Sequence, residues 1–376
     1  MSARYFSLTP LDAWFFRDGR PYNQAESNQA GVRSLFPPPA RTLTGALRAA
    51  LARANGWDGT RRWPDALNSA LGDGPENLGR LQFCGPFLLR NGLPLWPVPR
   101  HLLGRPQAGK WVPRAFLRPG GDTIQTDKGA LRLPEIALPP GEGRAGLKLA
   151  ESAWISAAGL TEALAGRLPP GEAVFGRDHL WRLESRVALE RDDKTHQVRE
   201  GDLYSPSYVR LCRGVALALG LADIPANIKG LPALFPLGGE SRLAQAQPWD
   251  GSPLPAAPPP GSFKAGPDGL VAFALVLLTP GRFGDPAPLL GPAARTISAC
   301  VGKPVPIGGW DSLNNEPLPL EPFHPAGSVW FCEAPTAQFP GVCSRHGKWL
   351  GAHTAHGFGQ IVIGLWPSGQ PSKEKP

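Results

Sequence analysis

Lysine is scarce in this 376-residue chain, with ten lysines against 29 arginines, and methionine occurs once. Cysteine occurs five times, at Cys84, Cys212, Cys300, Cys332 and Cys343, scattered, odd in number and never as C-x-x-C. That spacing excludes a disulfide framework and a structural zinc site, and it fits a reducing compartment. Long apolar runs are missing too. The longest, Leu270 to Leu278, is far too short to span a bilayer, and the first residues lack a basic segment followed by an apolar core. A soluble, cytoplasmic protein with no membrane partner is the expectation. The sequence holds no H-E-x-x-H, no G-x-S-x-G and no G-x-x-x-x-G-K-[ST], so neither a cofactor nor a small-molecule substrate is expected.

What the chain does have is apolar residues at 42 %, 46 glycines and 45 prolines, the latter two without a collagen period. Many short elements joined by punctuated loops are expected, in more than one domain at this length. The formal charge is +8 and the pI about 9.5, a balance that favours a polyanionic partner. Arginine forks onto phosphate and stacks on bases where lysine cannot, although codon bias explains an arginine excess equally well.

Arg4 to Leu8 reads as a first strand. Residues 42–55 carry Leu43, Ala46, Leu47, Ala50, Leu51 and Ala54 at helical spacing, with Thr42 as cap and Gly56 as stop. Leu81 to Cys84, Phe87 to Leu89 and Leu95 to Val98 read as short strands around the turn signal Asn91-Gly92. Residues 100–180 weaken into Pro, Gly and Arg, a functional or mobile insertion with one short helix at Thr161–Gly166. Arg186 to Tyr204 reads as a two-stranded ribbon with a polar tip at Asp192 to Thr195. Tyr208, Leu211, Cys212, Val215, Ala216 and Leu219 mark a second helix. A glycine turn, Gly238-Gly239-Glu240-Ser241-Arg242, precedes a strand from Leu243 to Gln247. Later strands are expected at Leu270–Leu278, Ser328–Cys332 and Gln360–Gly364.

The order strand, helix, hairpin, insertion, helix, glycine turn, strand is β-α-β-β-α-β, the ferredoxin-like motif. The expected fold class is therefore α+β, two ferredoxin-like (RRM-like) domains, the second degenerate, with long loop and hairpin insertions. The boundaries are 1–248 for the first domain, 249–262 for a Pro-rich linker, 263–366 for the second domain and 367–376 for a disordered tail. A sheet of this kind is a platform for single-stranded RNA.

Five constellations carry candidate RNA-binding residues. Arg17, Asp18 and Arg20 sit at a strand end, where Asp18 can orient one guanidinium while the other meets phosphate; a surface ion pair is the plainer alternative. Arg41, Thr42, Thr44 and Arg48 occupy the first turns of a helix, where unpaired N–H groups attract anions, although capping accounts for Thr42 and a solvated face for Arg48. Arg191, Lys194 and Arg199 form a mixed-charge ribbon with Asp192 and Asp193, most often a solvated face. Gly238, Gly239 and Arg242, and likewise His356, Gly357 and Phe358, are glycine turns that admit close approach of a ligand, or serve the fold alone. His353 and His356 are the close histidine pair, which leaves open a metal-independent endoribonuclease with one of them as general base.

Several of these stretches resemble one family. They are Pro10 to Arg20, the three prolines 37–39 before Thr42-Leu43-Thr44-Gly45-Ala46-Leu47-Arg48, Val187 to Thr195 with Leu203-Tyr204, Gly238 to Leu243, Val301 to Asp311, Pro325 to Val329 and Gly357 to Gly359. In that order they are similar to the third-subunit RAMP proteins of the type III-B CRISPR Cmr complex. The resemblance implies a non-catalytic subunit with two ferredoxin-like domains that binds the repeat-derived 5′ tag of CRISPR RNA. It implies as partners the large polymerase-like subunit and the backbone RAMP subunit, and for the 187–204 ribbon a thumb held against the guide. Arg17 and Arg20 would then contact tag phosphates, with Gly238, Gly239 and Arg242 shaping the groove, and Gly308-Gly309-Trp310 would press on RNA or on a neighbouring subunit. A protein-interaction subunit whose basic surface never meets RNA is the remaining alternative.

Overall fold

The computed structural model describes residues 3–17, 31–32, 34–60, 62–127, 129–186, 188–191, 198–367 and 370–371. Strands dominate, arranged in several antiparallel sheets with few helices. The chain divides into two compact units that it visits in turn. The first holds 1–91, 178–250 and 307–321, and the second holds 92–177, 251–306 and 322–376.

The first unit is built on β1 (Arg4–Pro10), α1 (Ala40–Ala54), β2 (Gln82–Arg90), β3 (Trp181–Ser185), β4 (Ala188–Arg191), β5 (Val198–Leu211), β6 (Val215–Ala222), β7 (Leu234–Pro236) and β8 (Leu243–Trp249). Its main sheet runs β2-β6-β1-β8-β7, antiparallel throughout, with Leu8 of β1 facing Leu217 on one side and Ala246 on the other. The amphipathic spacing of α1 buries Leu43, Leu47, Ala50 and Leu51, and the helix packs against β2 and β7. It starts at Ala40 rather than Thr42, and the residue before it, Pro39, gives no side-chain cap. A second sheet pairs β3 and β4 with the long β5.

The helix expected at 208–219 is instead the end of β5 and most of β6. Every residue of Val215–Ala222 is buried because β6 is the central strand between β2 and β1, and such a run has no period to separate helix from strand. Gly214, at φ +76°, breaks the chain before it. A Cβ there would lie 2.1 Å from Asn91 Oδ1.

The second unit carries strands 295–300, 329–335, 270–277 and 361–364 in that spatial order, all antiparallel, around a core that includes Phe273, Leu275, Trp330, Phe339 and Ile361. In each unit the sheet places the second, third, first and fourth strands side by side. The short helices Ala287–Leu290 and Phe339–Cys343 fill the two crossovers here, whereas the β6 to β8 crossover of the first unit has none.

The expected loop at 100–180 is largely β-sheet: Leu102–Gln107, Lys110–Thr126 and Gly129–Leu138 pair in sequence. Its prolines hide the pattern without preventing it. Pro119 and Pro134 face each other at a register shift, so neither removes a donor the ladder needs. The short helix of this region is Ala157–Leu164, one turn earlier than its spacing suggests, because Ser156 caps Gly159 N at 3.1 Å. Segment 251–262 is tied to the same unit, with Pro253 O accepting from Trp96 Nε1 at 2.7 Å and Ala256 N donating to Thr161 Oγ1 at 3.0 Å. Of residues 367–376, Gln370–Pro371 pair with Ala137 and Leu138, and the rest beyond Pro367 lie outside the described residues.

Candidate nucleic-acid interface

The chain leaving β1 crosses the end of β5. Trp14 and Val209 exchange backbone hydrogen bonds at 3.0 and 2.7 Å, and Gly239 N donates to Phe15 O at 2.8 Å. Gly238 has φ +85°, and a Cβ on it would sit 2.5 Å from Phe15 O, so only glycine lets this turn lie on the exit segment. The glycine turn and the N-terminal segment are thereby brought together. Trp14 and Phe16 are buried core beside Phe36, which packs edge-on to Trp181 at 4.8 Å.

Asp12 is the hub of this place. Its carboxylate accepts from Arg210 Nη2 at 2.8 Å, Arg186 Nη2 at 2.9 Å and, more weakly, Arg242 Nη1 at 3.4 Å. Glu184 accepts from Arg210 Nε at 2.6 Å and from Arg186 Nη2 at 2.7 Å. Strand geometry explains the gathering. Glu184 faces Tyr208 across the β3–β5 pair and Arg182 faces Arg210, so Arg182, Glu184, Tyr208 and Arg210 share one face. Arg186 and Arg242 lie over the buried Tyr208 ring at 4.9 and 4.4 Å, and the Tyr208 hydroxyl donates to Glu240.

Hydrogen bonds from Arg210, then Arg186, hold both Asp12 and Glu184 below the usual carboxylate range. Burial first, and the Glu240 carboxylate second, push the Tyr208 hydroxyl upward. All three arginines are part-exposed. They are charged groups fixed in direction by carboxylates while each side chain stays partly in water.

The other predicted residues go elsewhere. Arg17 bridges Ser34, close along the chain to this cluster, while Asp18 and Arg20 lie outside the described residues. Arg41 is buried and paired with Glu76 at 2.8 Å and Glu321 at 3.0 Å. Arg48, a candidate RNA contact with a solvated face as the alternative, is buried, donates to the carbonyls of Leu71 at 2.5 Å and Asn77 at 2.9 Å, and lies 5.1 Å from the Trp63 ring. Burial pulls its guanidinium down to about 10. Of the α1 candidates only Thr42 is exposed.

Arg191 ends β4 opposite Val198, and the ribbon tip with Lys194 lies outside the described residues. In the second unit His356 and Phe358 are buried, Phe358 packing on Phe323 at 4.7 Å, and Gly357 O accepts from Thr279 Oγ1 at 2.7 Å. That turn serves the core instead of shaping an open groove. Among the described residues no group of three or more His, Cys, Asp or Glu is placed to hold a metal ion, and no helix is long and apolar enough to cross a membrane.

Of the residues gathered here the sequence reading named Arg242 and the glycine turn as candidates, and it did not name Asp12, Glu184, Arg186, Tyr208, Arg210 or Glu240. The signal was the two-residue spacing Glu184/Arg186 and Tyr208/Arg210, visible only once both segments are read as strands.

Two solved structures are among those similar to this chain. One is the cryo-EM structure of the Type III-B Cmr-beta bound to cognate target RNA and AMPPnP, state 1, at 15 % identity and TM-score 0.48, covering 87 % of this chain and 86 % of that one. The other is the cryo-EM structure of the Type III-B Cmr-beta bound to cognate target RNA, at 17 % identity and TM-score 0.46 with the same coverage. No protein of curated function matches. The family described as CRISPR-associated protein (Cas_Cmr3) matches residues 6–366, nearly the whole chain, and the chain belongs to that family.

Proposed function

We propose that this chain is a non-catalytic RNA-binding subunit of a type III-B CRISPR effector complex, which holds the repeat-derived 5′ tag of CRISPR RNA and joins the large polymerase-like subunit to the backbone subunit. The observation that carries the reading is the set of three part-exposed arginine side chains whose guanidinium groups converge on Asp12, on the same exit segment that leads to Arg17. The carboxylates pre-order the guanidiniums, so an incoming phosphate meets donors already aimed and pays little for ordering them. Arg186 keeps its Nη1 group outside the contacts with Asp12 and Glu184. Thr42, Arg191 and the Asp18-to-Arg20 and Lys194 segments belong to the same proposed path, with Arg41 and Arg48 supporting it from inside.

The shared strand order of the two sheets, second-third-first-fourth, supports two ferredoxin-like domains, the first lacking its second crossover helix. The Cas_Cmr3 membership supports the complex and its partners. The test is photocrosslinking of 4-thiouridine placed in the 5′ tag of a reconstituted complex. Crosslinks on peptides spanning residues 12–20, 184–191, 208–210 or 238–242 are expected. Crosslinks to this chain that avoid all four would sink the assignment.

A further inference from the structure

Several arginines of this chain bury Nε without an acceptor, and nearly all of them tie the guanidinium down elsewhere. Arg105 reaches Glu142 and the Gly143 carbonyl, Arg114 reaches Gln107, and Arg242 reaches Asp12. Arg100 does neither. Its Nε is sealed from water, and among the described residues no carboxylate, carbonyl or amide accepts from its Nη groups. A half-buried cation left without a counter-charge is costly, and an unserved donor of this kind calls for an explanation.

The position of Arg100 is nonetheless tightly set. Its backbone N donates to Gly327 O at 2.8 Å. The guanidinium lies directly on Gly302, where an added Cβ would be 2.5 Å from Cζ and 2.7 Å from both Nε and Nη2. Gly302 is therefore the seat that holds the plane. The residue after it, Lys303, is exposed, in a segment outside regular structure between strands 295–300 and 305–311.

We propose that Arg100, seated on Gly302 beside Lys303, is a phosphate site for single-stranded RNA in the second unit, an inference that rests on the RNA-binding reading above. Sealing Nε fixes the guanidinium before any ligand arrives and leaves the Nη edge as the donor pair, the geometry with which arginine forks onto a phosphodiester. A polyanionic strand can deliver successive phosphates to the guanidinium and to the ammonium of Lys303, the residue that follows Gly302 in sequence. An acidic side chain offers one carboxylate, and the net charge of +8 favours the polyanion.

The experiment measures binding of the full chain to a fluorescein-labelled single-stranded RNA of the CRISPR repeat sequence, by anisotropy over a KCl series. Arg100→Gln is expected to weaken binding about tenfold and to flatten the slope of log K against log salt by about 0.7. Gly302→Ala keeps the net charge and a permitted backbone but evicts the guanidinium, so it is expected to weaken binding several-fold. Wild-type affinity in both variants, or loss in Arg100→Gln alone, overturns the seated site while leaving the RNA reading intact. Variants that lose capture of a complex subunit but keep RNA binding also overturn it, in favour of a protein contact. Absence of RNA binding by the wild type overturns both readings.

Discussion

Two groups of arginines lie in the first unit and behave in opposite ways. Arg41 and Arg48 of α1 are buried and spend their donors on Glu76, Glu321 and two backbone carbonyls. Arg186, just past β3, Arg210 on β5 and Arg242 at the glycine turn are part-exposed and gathered by one aspartate. Residue type is the same in both. What differs is whether the acceptors lie inside the protein, where the guanidinium is structural, or at its surface, where the carboxylate leaves donors for a ligand.

The sharpest way to break this contrast is Arg48→Met. It leaves the Leu71 and Asn77 carbonyls without their donor, and a loss of about 3 kcal/mol in unfolding free energy by denaturant titration is expected. Tag crosslinking of the folded fraction should persist. A variant as stable as wild type would show that Arg48 is not structural.

Arg210→Gln should do the reverse, weakening RNA binding about tenfold while stability stays within about 1 kcal/mol, as for exposed ion pairs. Equal RNA affinity would remove Arg210 from the interface.

Interior and surface charge also separate by titration. Burial pulls His101 down to about 3, so in the folded protein it stays neutral while the unfolded chain takes up a proton near pH 6.5. Its contribution to stability is complete above pH 6.5 and is lost progressively as pH falls toward 3. Between pH 7.5 and 5.5 a loss of about 1 kcal/mol is expected, absent in His101→Leu. An unchanged pH profile in that variant would refute the assignment.

The smallest effect belongs to Thr42→Ala, within about 0.3 kcal/mol in stability, because α1 begins at Ala40 without a side-chain cap. A cost above about 1 kcal/mol would restore Thr42 as the cap.

Much of the fold was legible. The period of α1 and the alternation or apolar runs of β1, β8, 270–277 and 329–335 announced themselves, because amphipathic burial leaves a period in the residues. Val215–Ala222 misled because burial on both faces erases that period, and Lys110–Leu138 misled because its prolines pair where no donor is required. Gly238 was readable because its φ of +85° favours glycine, and Arg242 came with it as part of the same turn. The hub was not, because residues 12, 184, 186, 210 and 242 meet only through strand register.

The hairpin 307–321 belongs with the first unit although the chain reaches it after crossing into the second. Arg41 thus acquires Glu321, its partner 280 positions further on, only when most of the polypeptide has been synthesised. On the ribosome, the N-terminal sheet and its first helix must wait with one buried guanidinium short of a carboxylate. A fragment ending at Asp250 carries that deficit permanently, so the order of synthesis and the order of completion differ in this protein.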